Sequence, residues 1–108
     1  MANTYKRLAG LRPADTNEAK LYGPITSTSA IVTLAICNQD TVARTYRVAV
    51  TDTDGTAGNE DFIAYDTTID ASDSHYISGI TLANPHTIRV KASVADKISF
   101  VAYGMEMT

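Results

Sequence analysis

The chain has 108 residues, a formal net charge of −3 and a 44% hydrophobic fraction, which is the size and make-up of one globular domain. A domain of this length buries about two-thirds of its unfolded surface, so folding requires neither a metal nor a disulfide. An acidic chain with no basic stripe is a poor match for phosphate backbones, which argues against nucleic-acid binding. No run approaches the roughly 20 apolar residues of a membrane span.

The locally basic group Lys6, Arg7 and Arg12 reads as solvation of the N-terminal stretch. No apolar segment follows it, so no signal peptide is expected and the chain is expected to be made in, and stay soluble in, a cytoplasm. Residues 1–20 are broken by Pro13, Asp15, Asn17 and Glu18 and carry only Leu8 and Leu11 as large aliphatic anchors. They read as an arm that docks through Tyr5, Leu8 and Leu11, on a neighbouring subunit for instance, or else as a first edge strand. Deleting residues 1–17 is expected, on the arm reading, to weaken attachment and spare the fold.

The body, residues 21–108, begins near Leu21-Tyr22, where Pro24 argues against a central strand. Ser29–Asn38 is the strongest strand signal, with Val32, Leu34 and Ile36 on one face and Ile31, Thr33, Ala35 and Cys37 on the other. A strand apolar on both faces is either covered twice or lines a subunit contact. Cys37, the only cysteine, has no internal disulfide partner and reads as a small hydrophobe.

Arg44–Thr51 follows, with Tyr46, Val48 and Val50 inward and Arg47 outward. Residues 52–61 form a polar loop with Gly55 and Gly58. Phe62–Asp66, His75–Leu82, His86–Ser93 and Lys97–Met107 complete the strands, with Gly79 marking a bulge or close backbone approach. In the last strand Ile98, Phe100 and Ala102 share one face, and Val101, Tyr103 and Met105 the other. Seven or eight strands at this spacing, with no helical period, predict an all-β fold. The architecture expected is a two-sheet antiparallel β-sandwich, jelly-roll-like. Val32, Leu34, Ile36, Val48, Val50, Ile88, Val90, Ile98 and Phe100 are its expected core.

No constellation outweighs its ordinary reading. Asp52-Thr53-Asp54-Gly55 resembles the start of a calcium loop, but Thr56, Ala57 and Ile63 stand where that loop needs Asp or Asn, Gly and Glu. His75 and His86 lack the closely spaced ligands of a zinc site. Ser78 sits within a strand and outside any nucleophile elbow, and Cys37 has a base only if the fold brings His75 or His86 to it. Asp66 with Asp70, or Asp54 with Asp61, read as solubilising loop carboxylates and not as a glycosidase pair. No catalytic residue, metal site or cofactor is expected.

Several segments in order carry a likeness: Leu21-Tyr22, Ala30-Ile31-Val32, Ile36-Cys37-Asn38, Thr45–Val50, Ile63–Asp66, Gly79–Leu82, Ile88-Arg89-Val90 and Ile98–Gly104. The series resembles small β-rich virion structural proteins of tailed bacteriophages, especially those of marine bacteria and cyanobacteria. The resemblance implies a non-enzymatic particle component that joins the virion after synthesis in the host cytoplasm. A capsid decoration or cement protein is favoured, bound to the major capsid protein or other virion proteins and forming homo-oligomers. Tail, neck or baseplate attachment is the alternative within that class. A carbohydrate-binding module for host attachment is the alternative outside it. The residues expected to make contacts are Tyr5, Leu8, Leu11, Ile31, Ala35 and Cys37.

Overall fold

The computed structural model describes residues 3–107. Eight strands follow one another: β1 (Asn3–Leu11), β2 (Ala19–Tyr22), β3 (Ser29–Asn38), β4 (Arg44–Thr51), β5 (Phe62–Ile69), β6 (Ser74–Ala83), β7 (Thr87–Ala92) and β8 (Ile98–Met107). They form two four-stranded sheets, ordered β1-β8-β3-β6 and β2-β7-β4-β5, with every pairing antiparallel. This is the eight-stranded jelly roll, in which consecutive strands pass from one sheet to the other except at the β4–β5 pair, which stays within one sheet.

Alternation decides which side chains meet between the sheets. β3 buries Ala30, Val32, Leu34 and Ile36, β8 buries Ile98, Phe100 and Ala102, and β7 buries Ile88, Val90 and Ala92. Of the nine expected core residues, eight are buried and Val50 is partly buried against them. Ile25, Ile69, Ile80 and Leu82 join the same cluster.

Two polar arrangements cross or close the sandwich. Asn38 is fully buried at the end of β3, and its amide nitrogen donates to the carbonyls of Val42, Ile69 and Asp70 at 3.0–3.2 Å. Its oxygen accepts from the Asp40 amide. These bonds satisfy the side chain and tie two turns together, so burial of the amide is offset. Between the sheets, the Tyr46 hydroxyl of β4 meets Nδ1 of His75 on β6 at 2.9 Å, and burial pushes the Tyr46 hydroxyl pKa up.

Residues 3–11, for which both an arm and a first edge strand were open, form the edge strand β1 along β8. A bulge at Leu8 adds one residue to β1 between the pairs Arg7↔Tyr103 and Ala9↔Ala102. Before the bulge, Tyr5 and Arg7 point outward; at and after it, Leu8, Ala9 and Leu11 pack on the core. The strand read as Phe62–Asp66 runs on to Ile69 because Asp66 adopts a left-handed backbone (φ 49°) at a second bulge, after which Thr67, Thr68 and Ile69 resume pairing. At Gly104 (φ 157°) any side chain would strike the Ile31 carbonyl, so glycine is what lets β8 and β3 approach there.

Candidate functional site: the outer face of the β1-β8-β3-β6 sheet

The two sheets present unlike outer faces. On the β2-β7-β4-β5 side the exposed phase carries Lys20, Arg89, Lys91 and Arg47, and much of this charge is paired within the chain. Arg47 makes two hydrogen bonds to Asp66, at 2.7 and 3.1 Å, with its guanidinium 3.9 Å above the Tyr65 ring. The neighbouring guanidinium holds the Asp66 carboxyl below the usual carboxylate range. Lys20 contacts Asp54 at 3.2 Å. Glu18 accepts from both Arg89 and the Ala57 amide.

The β1-β8-β3-β6 face is different. Cross-strand register aligns Tyr5, Met105, Ile31 and Thr81 in one row across four strands. The next row holds Arg7, Tyr103 and Thr33. A third holds Gly10, Val101, Ala35 and Tyr76, and a fourth Ser99, Cys37 and Ser74. Tyr5 is 79% exposed, Tyr76 68%, Ile31 42% and Tyr103 40%. Arg7 is the one charged side chain in these rows, and its guanidinium lies over Gly10, where an added Cβ would collide with it. The result is a broad aromatic and aliphatic surface, of a kind that exceeds scattered surface hydrophobics.

Of the six residues expected to make contacts, the fold brings Tyr5, Ile31, Ala35 and Cys37 onto this face. Leu8 and Leu11 lie on the other side of β1, against the chain's own core. The face also contains Tyr76, Tyr103, Val101 and Met105. The outward phase of β8 was legible in its alternation, whereas Tyr76 joins only because β6 pairs with β3. Four strands about 4.8 Å apart and some ten residues long span roughly 650 Å². That is near the ~800 Å² each partner contributes to a stable protein interface.

The remaining constellations stay apart. Cys37 faces outward opposite Ser74, while His75, opposite Ile36, sits inward with Tyr46. His86 accepts from the Ala83 amide at 3.0 Å. The Asp61 carboxylate accepts from the Gly58 amide at 2.8 Å, and Asp54 is with Lys20. Among the described residues no group of three or more His, Cys, Asp or Glu is placed to hold a metal ion, and no helix is long and apolar enough to cross a membrane.

Neither a protein-family model nor a curated protein matches the chain. Solved structures do. A chain of the Bacillus endospore appendages, which are disulfide-linked pili, superposes with a TM-score of 0.60 at 10% identity, covering 98% of this chain and 89% of that one. A chain of infectious bursal disease virus, Gx strain, superposes with a TM-score of 0.51 at 14% identity, covering 94% of this chain and 29% of that one. At such identities the likeness is one of fold. The superposition takes in most of the appendage chain and under a third of the viral chain.

Proposed function

We propose that this chain is a non-enzymatic structural subunit of a virus particle, acting as a decoration or cement protein on the capsid exterior of a tailed phage. The observation that carries the reading is the contrast between the two outer faces. One sheet turns self-paired charges to water. The other exposes Tyr5, Tyr76, Tyr103, Ile31, Val101 and Met105 around a single arginine. An apolar surface of this area with a single charge suits a protein shell of matching apolar character, because burying it removes water at about 25 cal/mol per Å² and opposes few charges. The resemblance of the sequence to small phage virion proteins supports this reading. So does the use of a similar fold in a pilus and in a virus.

The three exposed tyrosines favour a second reading, a glycan-binding face for host attachment, since aromatic rings stack on sugars. Aliphatic Ile31, Val101 and Met105 lie among them, and besides the tyrosines the two middle rows offer only Arg7 and Thr33 as hydrogen-bonding side chains, a sparse set for a sugar site. The shell protein therefore remains the proposed occupant.

Reconstruction of purified particles of the source virus tests the proposal. Density for this jelly roll on the outer shell, with the β1-β8-β3-β6 face inward, is the expected result. Density at the neck, tail or baseplate would move the site of attachment, and absence from particles would overturn the reading. In a re-binding assay, Ile31→Lys and Tyr103→Lys should fail to add back to shells stripped of the protein. Retained shell binding by both variants removes this face from the proposal, and selective binding of the wild type to glycans supports the second reading.

A further inference from the structure

We infer that β6 is a self-association edge, at which two copies of this chain join their β1-β8-β3-β6 sheets side by side. Each jelly-roll sheet has two edges, and three of the four edge strands carry a charge: Lys6 and Arg7 on β1, Lys20 on β2 and Asp66 on β5. Charges of this kind are how proteins stop open ladders from pairing. β6, Ser-His-Tyr-Ile-Ser-Gly-Ile-Thr-Leu-Ala, has ten residues with no Asp, Glu, Lys, Arg or Pro. Its one interruption is the bulge at Ser78-Gly79, where Gly79 takes φ 75°. An added Cβ on Gly79 meets nothing within 4 Å. A strand glycine facing open space is a place where another backbone can come close.

Beside this edge the sandwich is also open. A cavity of about 430 Å³ lies between β5 and β6, lined by Val50, Ile63, Ile77 and Ile80 with Ser78, Gly79 and Thr81 at its rim. Ile63 is 49% exposed there. β5 and β6 are joined by the turn at Asp70–Asp73, and the cavity occupies the part of the edge away from that turn. An unguarded ladder above an apolar cleft is the arrangement that accepts an added strand: main-chain bonds hold it and alternate side chains fill the cleft.

The occupant is a second copy. A two-fold axis normal to the sheet sets β6 antiparallel to its own image, so each copy offers the other the same uncharged strand. That pairing opposes no like charges, whereas β1 against its own image would bring Lys6 and Arg7 of both copies together. It also sets the two isoleucine-lined clefts next to each other, so that each covers the other. This contact is distinct from the apolar sheet face and leaves that face free.

Sedimentation of the wild-type chain over a concentration series should show a mass rising from 11.6 kDa toward twice that value. Hydrogen exchange at β6 amides should slow as the concentration rises. Ser78→Lys changes one exposed side chain at the bulge, outside the rows of the apolar face, and circular dichroism and melting would verify the fold. This variant should raise the dimer dissociation constant about tenfold or more, while Ile31→Lys leaves it unchanged. Ser78→Lys should still bind stripped shells, which separates this inference from the proposed function. A wild type that stays monomeric throughout would overturn the inference. So would a dimer that survives Ser78→Lys, or one that Ile31→Lys dissociates.

Discussion

The Tyr22 hydroxyl on β2 donates a hydrogen bond to the Glu106 carboxylate on β8, linking the two sheets across 84 positions of sequence. Lys6 on β1 reaches the other carboxylate oxygen at 3.2 Å, so three strands converge on one charge. The Tyr22 bond, and then Lys6, hold the Glu106 carboxyl below its ordinary value of 4.5, against the opposing effect of burial. Burial first, and then the same carboxylate, push the Tyr22 hydroxyl above its ordinary value of 10.0.

The signs follow from linkage. Glu106 has a lower pKa folded than unfolded, so its contribution is complete above pH 4.5 and is lost as pH falls through the depressed value. Tyr22 has a higher pKa folded than unfolded, so its contribution is complete below pH 10 and is lost as pH rises beyond it. Urea unfolding of wild type and Glu106→Gln should therefore differ at pH 7 and converge toward pH 3. Tyr22→Phe should cost about 1–2 kcal/mol at pH 7. A wild-type–Gln difference that is constant across this range would show that the link does not contribute.

Phe100 is fully buried, with its ring edge-on to Tyr46 at 6.3 Å between centroids. Phe100→Ala should destabilise the fold by roughly 3–5 kcal/mol in denaturant unfolding. A loss below about 0.5 kcal/mol would be the behaviour of a surface position.

Because Leu8 and Leu11 pack on the core and β1 covers the edge of β8, removing residues 1–11 should not spare the fold. The truncated chain should lose roughly 2–4 kcal/mol from these two side chains alone. It would also expose β8 as a new edge and should aggregate more readily on melting. An unchanged melting temperature would show that β1 adds nothing to the sandwich.

The loop at residues 52–61 should be indifferent to calcium. Two of its carboxylates already have partners: Asp54 meets Lys20, and Asp61 accepts from the Gly58 amide. A ligand at about 100 times its dissociation constant adds ~2.7 kcal/mol to the folded state. Melting in millimolar calcium and in chelator should therefore give the same midpoint. A calcium-dependent rise that disappears in Asp54→Asn would reveal a site in the loop.

Alternation along single strands determined much of this protein. The period of two in β3, β7 and β8 assigns Val32, Leu34, Ile36, Ile88, Val90, Ile98 and Phe100 to the interior, because neighbouring side chains in a strand must leave on opposite sides. The same rule puts Ile31, Ala35 and Cys37 together on the other face of β3, and Val101, Tyr103 and Met105 on the other face of β8. Turn residues bounded most strands. The polar loop and the Gly79 bulge were readable for the same local reason, backbone conformations that few residues adopt.

Tertiary structure alone decided how those faces combine. Tyr5, Tyr103, Ile31 and Tyr76 lie on strands far apart in sequence, and only the order β1-β8-β3-β6 and its registers make one surface of them. Strand order depends on long-range pairing between segments that are individually alike, so a local pattern carries no record of it. The bulge at Leu8 is the sharpest case. One extra residue turns Ala9 and Leu11 to the core side that Leu8 already faces and leaves Tyr5 outside, because shifting a strand by one residue exchanges its two faces.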